Sequence, residues 1–551
     1  MATVNDTFDT SEALQLELDD DPLSRAEHLI SIGISLSAEK NTNRLLENIL
    51  IEAQNLTRSD GGTLYMLSDD DRLSFEIMRT RSLGIAKGGS THQAVQLSPI
   101  SLYDNNGIPN NTTIAASVAL TGESVNIQDV YSNHRFDFSG TKKYDQKIGY
   151  HSMSFLTIPM KNHENRTIGV LQLINAIDEE TGKPTTFTEE DQRLAESLAS
   201  MAAVALTNHD LLEDLRELLE KFIEVIAGAI DEKSPYTGGH CRRVPEIAML
   251  LADAVHHTSE GMFADLRFSD EQMYELRIAA MMHDCGKITT PIHVVDKATK
   301  LETINDRIHL VEGRFAILKR EAEISALHLI HEAASDKKST AIRSDYQSLL
   351  SKLDEELEFL RKCNFGSEYM AEDAQQRVKD IAKRRYRDHQ GNEQPLLSEE
   401  EVHNLTIAKG TLNPEERKVI NYHINSTITM LENLPFPKHL RNVPEIAGGH
   451  HETMDGKGYP RGLKREDMSV QARIMGIADI FEALTAADRP YKKAMPISVA
   501  LKILNDMKNN SHIDPDIFEV FIKQEVYKTY AKKFLNKEQL DNCDIEKLFN
   551  E

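Results

Sequence analysis

Gly448-Gly449-His450-His451-Glu452-Thr453-Met454-Asp455-Gly456-Lys457-Gly458-Tyr459-Pro460-Arg461-Gly462 sets two adjacent imidazoles against a glycine-rich turn. Neutral imidazole and carboxylate oxygen are the groups that hold borderline divalent cations such as iron, manganese, nickel and zinc. The stretch therefore reads as one wall of a metal centre. A histidine dipeptide alone carries little, because an imidazole serves equally well as an ordinary polar group. The chain holds its own controls: His256-His257 sits in a short polar segment before a glycine, and His209-Asp210 falls within a helical linker. Neither has the glycine-rich context.

Upstream, His283-Asp284 closes the apolar run Ile278-Ala279-Ala280-Met281-Met282 and is followed by Cys285-Gly286-Lys287-Ile288. Buried polar groups require partners, and two titratable side chains at the end of a core helix call for a strong one. A cation is the natural choice. Asp479 stands in Arg473-Ile474-Met475-Gly476-Ile477-Ala478-Asp479-Ile480-Phe481-Glu482-Ala483-Leu484, an otherwise apolar helix that buries a lone carboxylate only at high cost. It too needs a cation.

These stretches resemble the HD-GYP family, a branch of the HD phosphohydrolases that cleaves cyclic di-GMP. The likeness runs over about residues 230 to 301 and 412 to 515. It rests on His240 in Tyr236-Thr237-Gly238-Gly239-His240-Cys241-Arg242-Arg243-Val244, the His283-Asp284 pair, Gly458-Tyr459-Pro460, and Asp488-Arg489-Pro490-Tyr491-Lys492. The resemblance implies a first cation held by His240, His283, Asp284 and Asp479, and a second held by Asp284, His423, His450 and His451. Iron or manganese are the expected ions, with nickel or zinc as alternatives.

Two histidines, His309 and His423, compete for the upstream place in the second set. The segment Leu412-Asn413-Pro414-Glu415-Glu416-Arg417-Lys418-Val419-Ile420-Asn421-Tyr422-His423 reads as a helix start, with Asn413 as N-cap, proline in the first turn and acids following. Its spacing resembles the family's, whereas that of Asn305-Asp306-Arg307-Ile308-His309 does not. His423 is the choice.

With Asp284 shared between two ions roughly 3.5 to 4 Å apart, such a ligand set implies a water that ionises near neutral pH for in-line attack on a phosphodiester. Lys287, one helical turn beyond His283, is a candidate to set positive charge against a phosphate oxygen; a surface lysine closing a helix is the plainer alternative. Arg489 and Lys492 resemble the family's basic residues that grip substrate phosphate, for which arginine is suited, and a structural salt bridge is their alternative. The glycines around Tyr459 let backbone approach a ligand closely, while Pro460 stiffens the loop. Gly458, Tyr459 and Pro460 thus join Lys287, Arg489 and Lys492 as candidate substrate contacts, with Asp284 and Lys287 as candidate catalytic residues.

Some family members place a glutamate four residues before the first histidine, where it helps bind a third metal. Tyr236 stands there in this chain. Two cations are expected, and the product, linear pGpG or GMP, stays open. Met454 stands where an aromatic residue is common in the family. The expected function is a metal-dependent cyclic di-GMP phosphodiesterase in bacterial signalling. Its rivals are a cyclic di-GMP receptor with little turnover and a phosphohydrolase of another cyclic nucleotide.

At 551 residues the chain allows about three domains, each able to bury its own core. A net charge of −25 argues against binding nucleic-acid polymers, whose phosphates reward basic surfaces. A small dianionic nucleotide instead meets local positive charge from metals, Lys287 and Arg489. Cys241, Cys285, Cys363 and Cys543 are scattered without CxxC spacing, which predicts a reducing cytoplasm and no disulfide framework. The sequence shows no signal peptide and no apolar run long enough to cross a bilayer, so a soluble cytoplasmic protein without a membrane partner is expected.

Residues 1–22, rich in Asp, Glu, Thr and Ser, read as a mobile tail. Over 23–187 the pattern predicts a helix from Ala38 to Leu56, with Leu45, Leu46, Ile49 and Leu50 on its apolar face. Short strands follow at Gly62–Leu67, Ser154–Pro159 and Ile168–Asn175. This arrangement, above all Gly149 through Asn175 and Leu120-Thr121-Gly122-Glu123, resembles a GAF domain, a sensory α+β module that can hold a small ligand. Asn133-His134-Arg135-Phe136 and Tyr144-Asp145 faintly match the motif of cyclic-nucleotide-binding GAF domains, with a departing spacing; the sequence names no ligand. Thr188-Glu189-Glu190-Asp191 reads as a capping box opening a linker helix over 188–228. Its apolar residues Leu194, Leu198, Met201, Ala205, Leu211, Leu215, Leu218, Phe222 and Val225 form a near-heptad stripe broken about Asn208, as in a parallel dimeric coiled coil. A helix packed on its own domain is the alternative.

The catalytic region, 229–551, contains a stretch from about 302 to 411 in which Leu349, Leu350, Leu353, Leu357 and Leu360 alternate with charged residues. It reads as a helical insertion. The charged run Lys379 to Arg387 reads as a solvated helix face. The expected architecture is therefore multidomain: an α+β GAF domain, a long linker helix forming a coiled coil, and an all-α HD-type phosphohydrolase domain with a helical insertion.

Overall fold

The computed structural model describes residues 22–91, 93–233, 239–333, 335–366, 369–487 and 494–541. The expected tail, except Pro22, lies outside the described residues, as do Tyr236, Arg489 and Lys492. Contacts divide the chain between Leu218 and Leu219.

The first unit opens with α1 (Pro22–Ala38) and α2 (Thr42–Leu56). The helix expected from Ala38 onward starts instead at Thr42, because the Asn41 side chain accepts from the Arg44 N–H at 3.0 Å and caps it. Eight strands then form one sheet: β1 (Ser59–Ser68), β2 (Arg72–Thr80), β3 (Ile85–Gly88), β4 (Ile100–Ser101), β5 (Val125–Ile127), β6 (Phe155–Lys161), β7 (Thr167–Ile177) and β8 (Pro184–Thr185). The main path runs β3-β2-β1-β7-β6-β5, with β4 on β2 and β8 on β7. All pairs are antiparallel, and the expected hairpin is β6–β7, with Ile158 opposite Leu171.

Side chains alternate across a strand, and this alternation divides two cores. Leu64 and Leu171 face α1, α2 and the start of the linker helix, packing with Leu36, Ile49, Leu50 and Leu198. Their neighbours Tyr65 and Val170 face the other way, against α3 (Ile114–Thr121), Phe136 and Phe138. The faint cyclic-nucleotide motif is used internally: Asn133 accepts from the backbone N–H of Arg135 and Phe136, and Phe136 is buried. Asp145, on α4 (Ser139–Ile148), accepts from Tyr131 Oη, Ser152 N and Ser152 Oγ.

The linker helix α5 runs from Glu189 to Lys233. Its capping box forms as read, with Thr188 Oγ1 accepting from Asp191 N at 3.1 Å and Asp191 Oδ2 accepting from Thr188 N at 2.8 Å. The apolar stripe splits in two. Leu198, Ala202 and Leu206 pack in the first unit's own core with Ile32 and Leu36. Beyond Asn208 the stripe lies open, with Leu211, Leu215, Leu218, Phe222 and Val225 each 53–69% exposed.

The second unit is mainly helical. Its core joins α6 (His240–His257) and α7 (Asp270–Met282) to a later group of helices, and the short α8 (Ile292–Val295) follows α7 in the chain. An excursion intervenes: α9 (Ile308–His331), α10 (Asp336–Asn364), α11 (Glu372–Ala382), a hairpin of β9 (Arg385–Arg387) and β10 (Glu393–Pro395), and α12 (Glu399–Leu405). Val311, Phe315, Leu353, Leu357, Leu360, Val378 and Leu396 give it a separate core. The hairpin was not read from the sequence; the charged run passes from α11 into it, and Arg384 pairs there with Glu356 at 2.6 Å. The chain returns through α13 (Pro414–Asn421), α14 (His423–Glu432), α15 (Val443–Gly448), α16 (Val470–Thr485), α17 (Ile497–Asn509), α18 (Pro515–Lys523) and α19 (Val526–Phe534). Leu251, Ile278, Ile446, Ile477, Phe481 and Phe521 lie at its centre. Among the described residues no helix is long and apolar enough to cross a membrane.

Candidate metal centre

Helix ends aim three of the histidines. His283 is the C-cap of α7, and its Nδ1 meets Ala280 O at 2.8 Å. His423 follows the end of α13 and meets Ile420 O at 2.5 Å; His450 follows α15 and meets Ala447 O at 2.7 Å. The last carbonyls of a helix lack partners along the helix, and a carbonyl only accepts. Each Nδ1 must therefore carry a proton, so that in the neutral ring Nε2 is the bare lone pair. One local device, used three times, orients three rings.

His240 opens α6, and its Nδ1 lies 2.6 Å from Glu482 Oε2. The other Glu482 oxygen accepts from Arg243 Nε at 2.7 Å. Asp479 lies one turn before Glu482 on α16, so both carboxylates share a face. Sequence reading passed over Glu482, although the argument applied to Asp479, a carboxylate on a buried apolar helix, would have found it.

The rings converge as two groups about one carboxylate. His240 Nε2 lies 3.3 Å from both Asp284 Oδ2 and Asp479 Oδ1. His283 Nε2 lies 3.3 Å from Asp284 Oδ2 and 3.7 Å from Asp479 Oδ1. On the opposite side, Asp284 Oδ1 lies 3.2 Å from His423 Nε2. The ligand atoms of His423, His450 and His451 lie within 4.8 Å of one another, as do those of His240, His283 and Asp284. Asp284 thus turns one oxygen to each group. His309, the competing histidine, sits on the exposed side of α9 beside Glu312.

Asp284 Oδ1 and His423 Nε2 are buried and close, yet neither makes a hydrogen bond. Buried polar atoms of this kind need a partner, and a carboxylate oxygen facing an imidazole lone pair fits a cation between them. Charge is arranged to match. Burial pushes His450 well below its usual range and His451 down to about 4, so both rings are neutral donors. Burial opposes ionisation of Asp284 as well, but Lys287 and His283 hold its carboxyl well below the usual range. Burial likewise pulls His283 down, and the Asp284 and Asp479 carboxylates overcome it, lifting the ring to about 9; a cation held by the same carboxylates would take the place of the Nε2 proton.

Lys287 sits on a 3₁₀ turn (Cys285–Thr289), and its Nζ contacts Asp284 Oδ2. Gly286 makes this geometry possible: a Cβ there would lie 2.0 Å from His423 O. In the glycine-rich loop, Gly458 presses against Glu452 and Thr453, where a Cβ would meet backbone at 2.4 Å. That approach brings the Tyr459 ring onto His451, centroids 4.8 Å apart, while Glu452 accepts from Arg461 N and Leu463 N and closes the loop. Gly458 and Tyr459, read from sequence as substrate contacts, here pack on the His450-His451 segment, followed by Pro460.

The GAF domain family matches residues 41–206, and HD domain families match residues 237–401 and 399–517. Curated relatives include the 3'3'-cGAMP-specific phosphodiesterase 3 of Vibrio cholerae, 42% identical over 126 residues, which are 22% of this chain and 26% of that protein. A cyclic di-GMP phosphodiesterase of Thermotoga maritima is 33% identical over 121 residues, 22% of this chain and 32% of that protein. The chain thus spans about a quarter to a third of the length of these relatives. Among solved structures, the GAF domain of an Acinetobacter phosphoenolpyruvate-protein phosphotransferase is 15% identical, with a TM-score of 0.26 over 34% of this chain and 97% of that one. The chain carries a GAF domain followed by a region that HD domain families match, and the stretches that resemble HD-GYP proteins lie in that region.

Proposed function

We propose that the second unit is a phosphodiesterase of cyclic dinucleotides, with cyclic di-GMP as substrate and a pair of divalent metals, iron or manganese, as cofactor. The observation that carries this reading is the single carboxylate of Asp284 with one oxygen toward each group of histidines. His240, His283, Asp284 and Asp479 would hold one ion; Asp284, His423, His450 and His451 the other. Two such ions would supply an activated water and offset negative charge as it builds on the phosphate oxygens. The protein's own part is to aim the Nε2 lone pairs, hold Asp284 ionised and bring the Lys287 ammonium to the same oxygen cluster. Arg489 and Lys492 would grip phosphate. Beyond Lys287, Thr289, Thr290, Lys418, Val419 and Tyr422 line an open groove of about 300 Å³, room for a nucleoside.

Metal-loaded protein incubated with cyclic di-GMP should release pGpG or GMP, separable by chromatography. The Vibrio cholerae relative favours 3'3'-cGAMP as a second substrate to be run in parallel. Binding without product from either, at full metal content, would make the protein a receptor and sink the enzyme reading.

We also infer that the open stripe of α5 pairs two copies of the chain in parallel, with the GAF domain regulating turnover through it. The residues 211, 215, 218, 222 and 225 repeat at heptad spacing and are open to solvent together. Leu215→Glu combined with Phe222→Glu should convert a dimer to a monomer in sedimentation while leaving metal content unchanged. A wild-type protein that sediments as a monomer at micromolar concentration would refute the pairing.

A further inference from the structure

The last turn of α5 ends against the metal centre, and its contacts differ from those of an ordinary helix terminus. Lys233 Nζ donates to Lys287 O at 3.0 Å, to Thr290 O at 2.7 Å and to Ile288 O. An ammonium has three N–H groups, and three carbonyls of the Lys287 turn receive them. Two residues earlier, the buried Asp231 accepts from Gly239 N at 3.0 Å and from Cys241 N at 3.4 Å. Those two amides flank His240.

The Lys287 turn is held equally firmly on its far side. Gly286 N donates to Thr427 Oγ1 at 2.9 Å, Thr289 Oγ1 meets Ser426 Oγ at 3.2 Å, and the turn sits too close to His423 O to admit a Cβ. The turn therefore moves only together with α14, the helix that carries His423. A shift of the final turn of α5 would reach His240 through Asp231, Lys287 through Lys233, and His423 through the clamped turn. Close-packed contacts of this kind transmit a displacement rather than absorb it.

We infer that Lys233 and Asp231 form a latch by which the linker helix sets the alignment of the metal ligands and of Lys287, and hence the rate of turnover. Both are positioning residues. The inference rests on the phosphodiesterase reading only for its consequence on rate; the mechanical coupling stands on the contacts themselves. A latch that governs alignment acts on kcat, whereas a residue that merely binds substrate acts on KM.

The test uses the full chain loaded with manganese, comparing wild type, Lys233→Met and Lys233→Arg. Lys233→Met should lower kcat for cyclic di-GMP about tenfold or more with KM within about threefold and metal content unchanged. Amide exchange over 285–290 should rise about tenfold while exchange over 470–485 stays at the wild-type rate. Lys233→Arg, which keeps the donors and charge, should recover most of kcat. The latch is overturned by unchanged exchange over 285–290, by local loosening without a fall in kcat, or by exchange that rises over both segments as in general destabilisation. If wild type hydrolyses no cyclic dinucleotide, the enzyme reading falls and the exchange measurement alone decides the latch.

Discussion

Asp284→Ala is expected to reduce bound metal from two ions per chain to fewer than one and to lower turnover about a thousandfold, near 4 kcal/mol of transition-state stabilisation. One carboxylate faces both ligand groups, with Oδ2 toward His240 and His283 and Oδ1 toward His423. Its removal would withdraw a proposed ligand from each ion at once, where loss of a single histidine would withdraw one. The rings should keep their aim, since His283, His423 and His450 are held by backbone carbonyls. His309→Ala is the matched control, because His309 pairs with Glu312 on an exposed face, and it should leave both quantities unchanged. Elemental analysis and product chromatography on the same preparations read the outcome. Retention of two ions and of activity in Asp284→Ala would refute the shared-ligand assignment.

Glu482→Ala should be the most damaging change outside the ligands. The side chain is fully buried and bonded to His240 and Arg243. Removing one member of a buried charged group costs about 3–5 kcal/mol because its partners remain. Loss of an orienting carboxylate also weakens metal binding by about 10- to 100-fold. Glu482→Gln separates the two effects. Its amide oxygen can still accept from His240 while its NH₂ group faces Arg243, so the fold should hold better than metal affinity does. Thermal unfolding read beside chelator competition tests this. Equal affinity in wild type and Glu482→Gln would show that the carboxylate serves only the fold.

Glu482 also shows where reading the chain ran short. His283-Asp284 and His450-His451 stand out because each is a polar pair beside an apolar run or a glycine turn, a signal contained within about ten residues. The helix start at Asn413 was equally local: its side chain accepts from Glu416 N and its own N–H is taken by the Glu416 carboxylate. Glu482 meets His240 across 242 positions, and no pattern near either residue announces the pairing. The boundary at Asn41 was missed for a smaller reason, since the apolar periodicity of the two flanking helices conceals a cap that only backbone direction reveals.

The linker helix divides along the same line. Heptad spacing from Leu194 to Val225 is visible in the chain. That Leu198 is fully buried against Ile32 and Leu36 while Leu215 stands 62% exposed depends on where α1 ends up.

Residue type, spacing and burial tendency by themselves determined which side chains have the chemistry of ligands, and picked out the β6–β7 hairpin and the capped helix starts at Thr188 and Asn413. Tertiary structure decided that one aspartate faces two groups of histidines, that carbonyls at three helix ends set the protonated nitrogen of three rings, and that Lys233 closes on the Lys287 turn. The reason is physical. Periodicity and capping are properties of neighbouring dihedral angles, whereas ligand geometry depends on the distances between segments, which exist only once the core has packed.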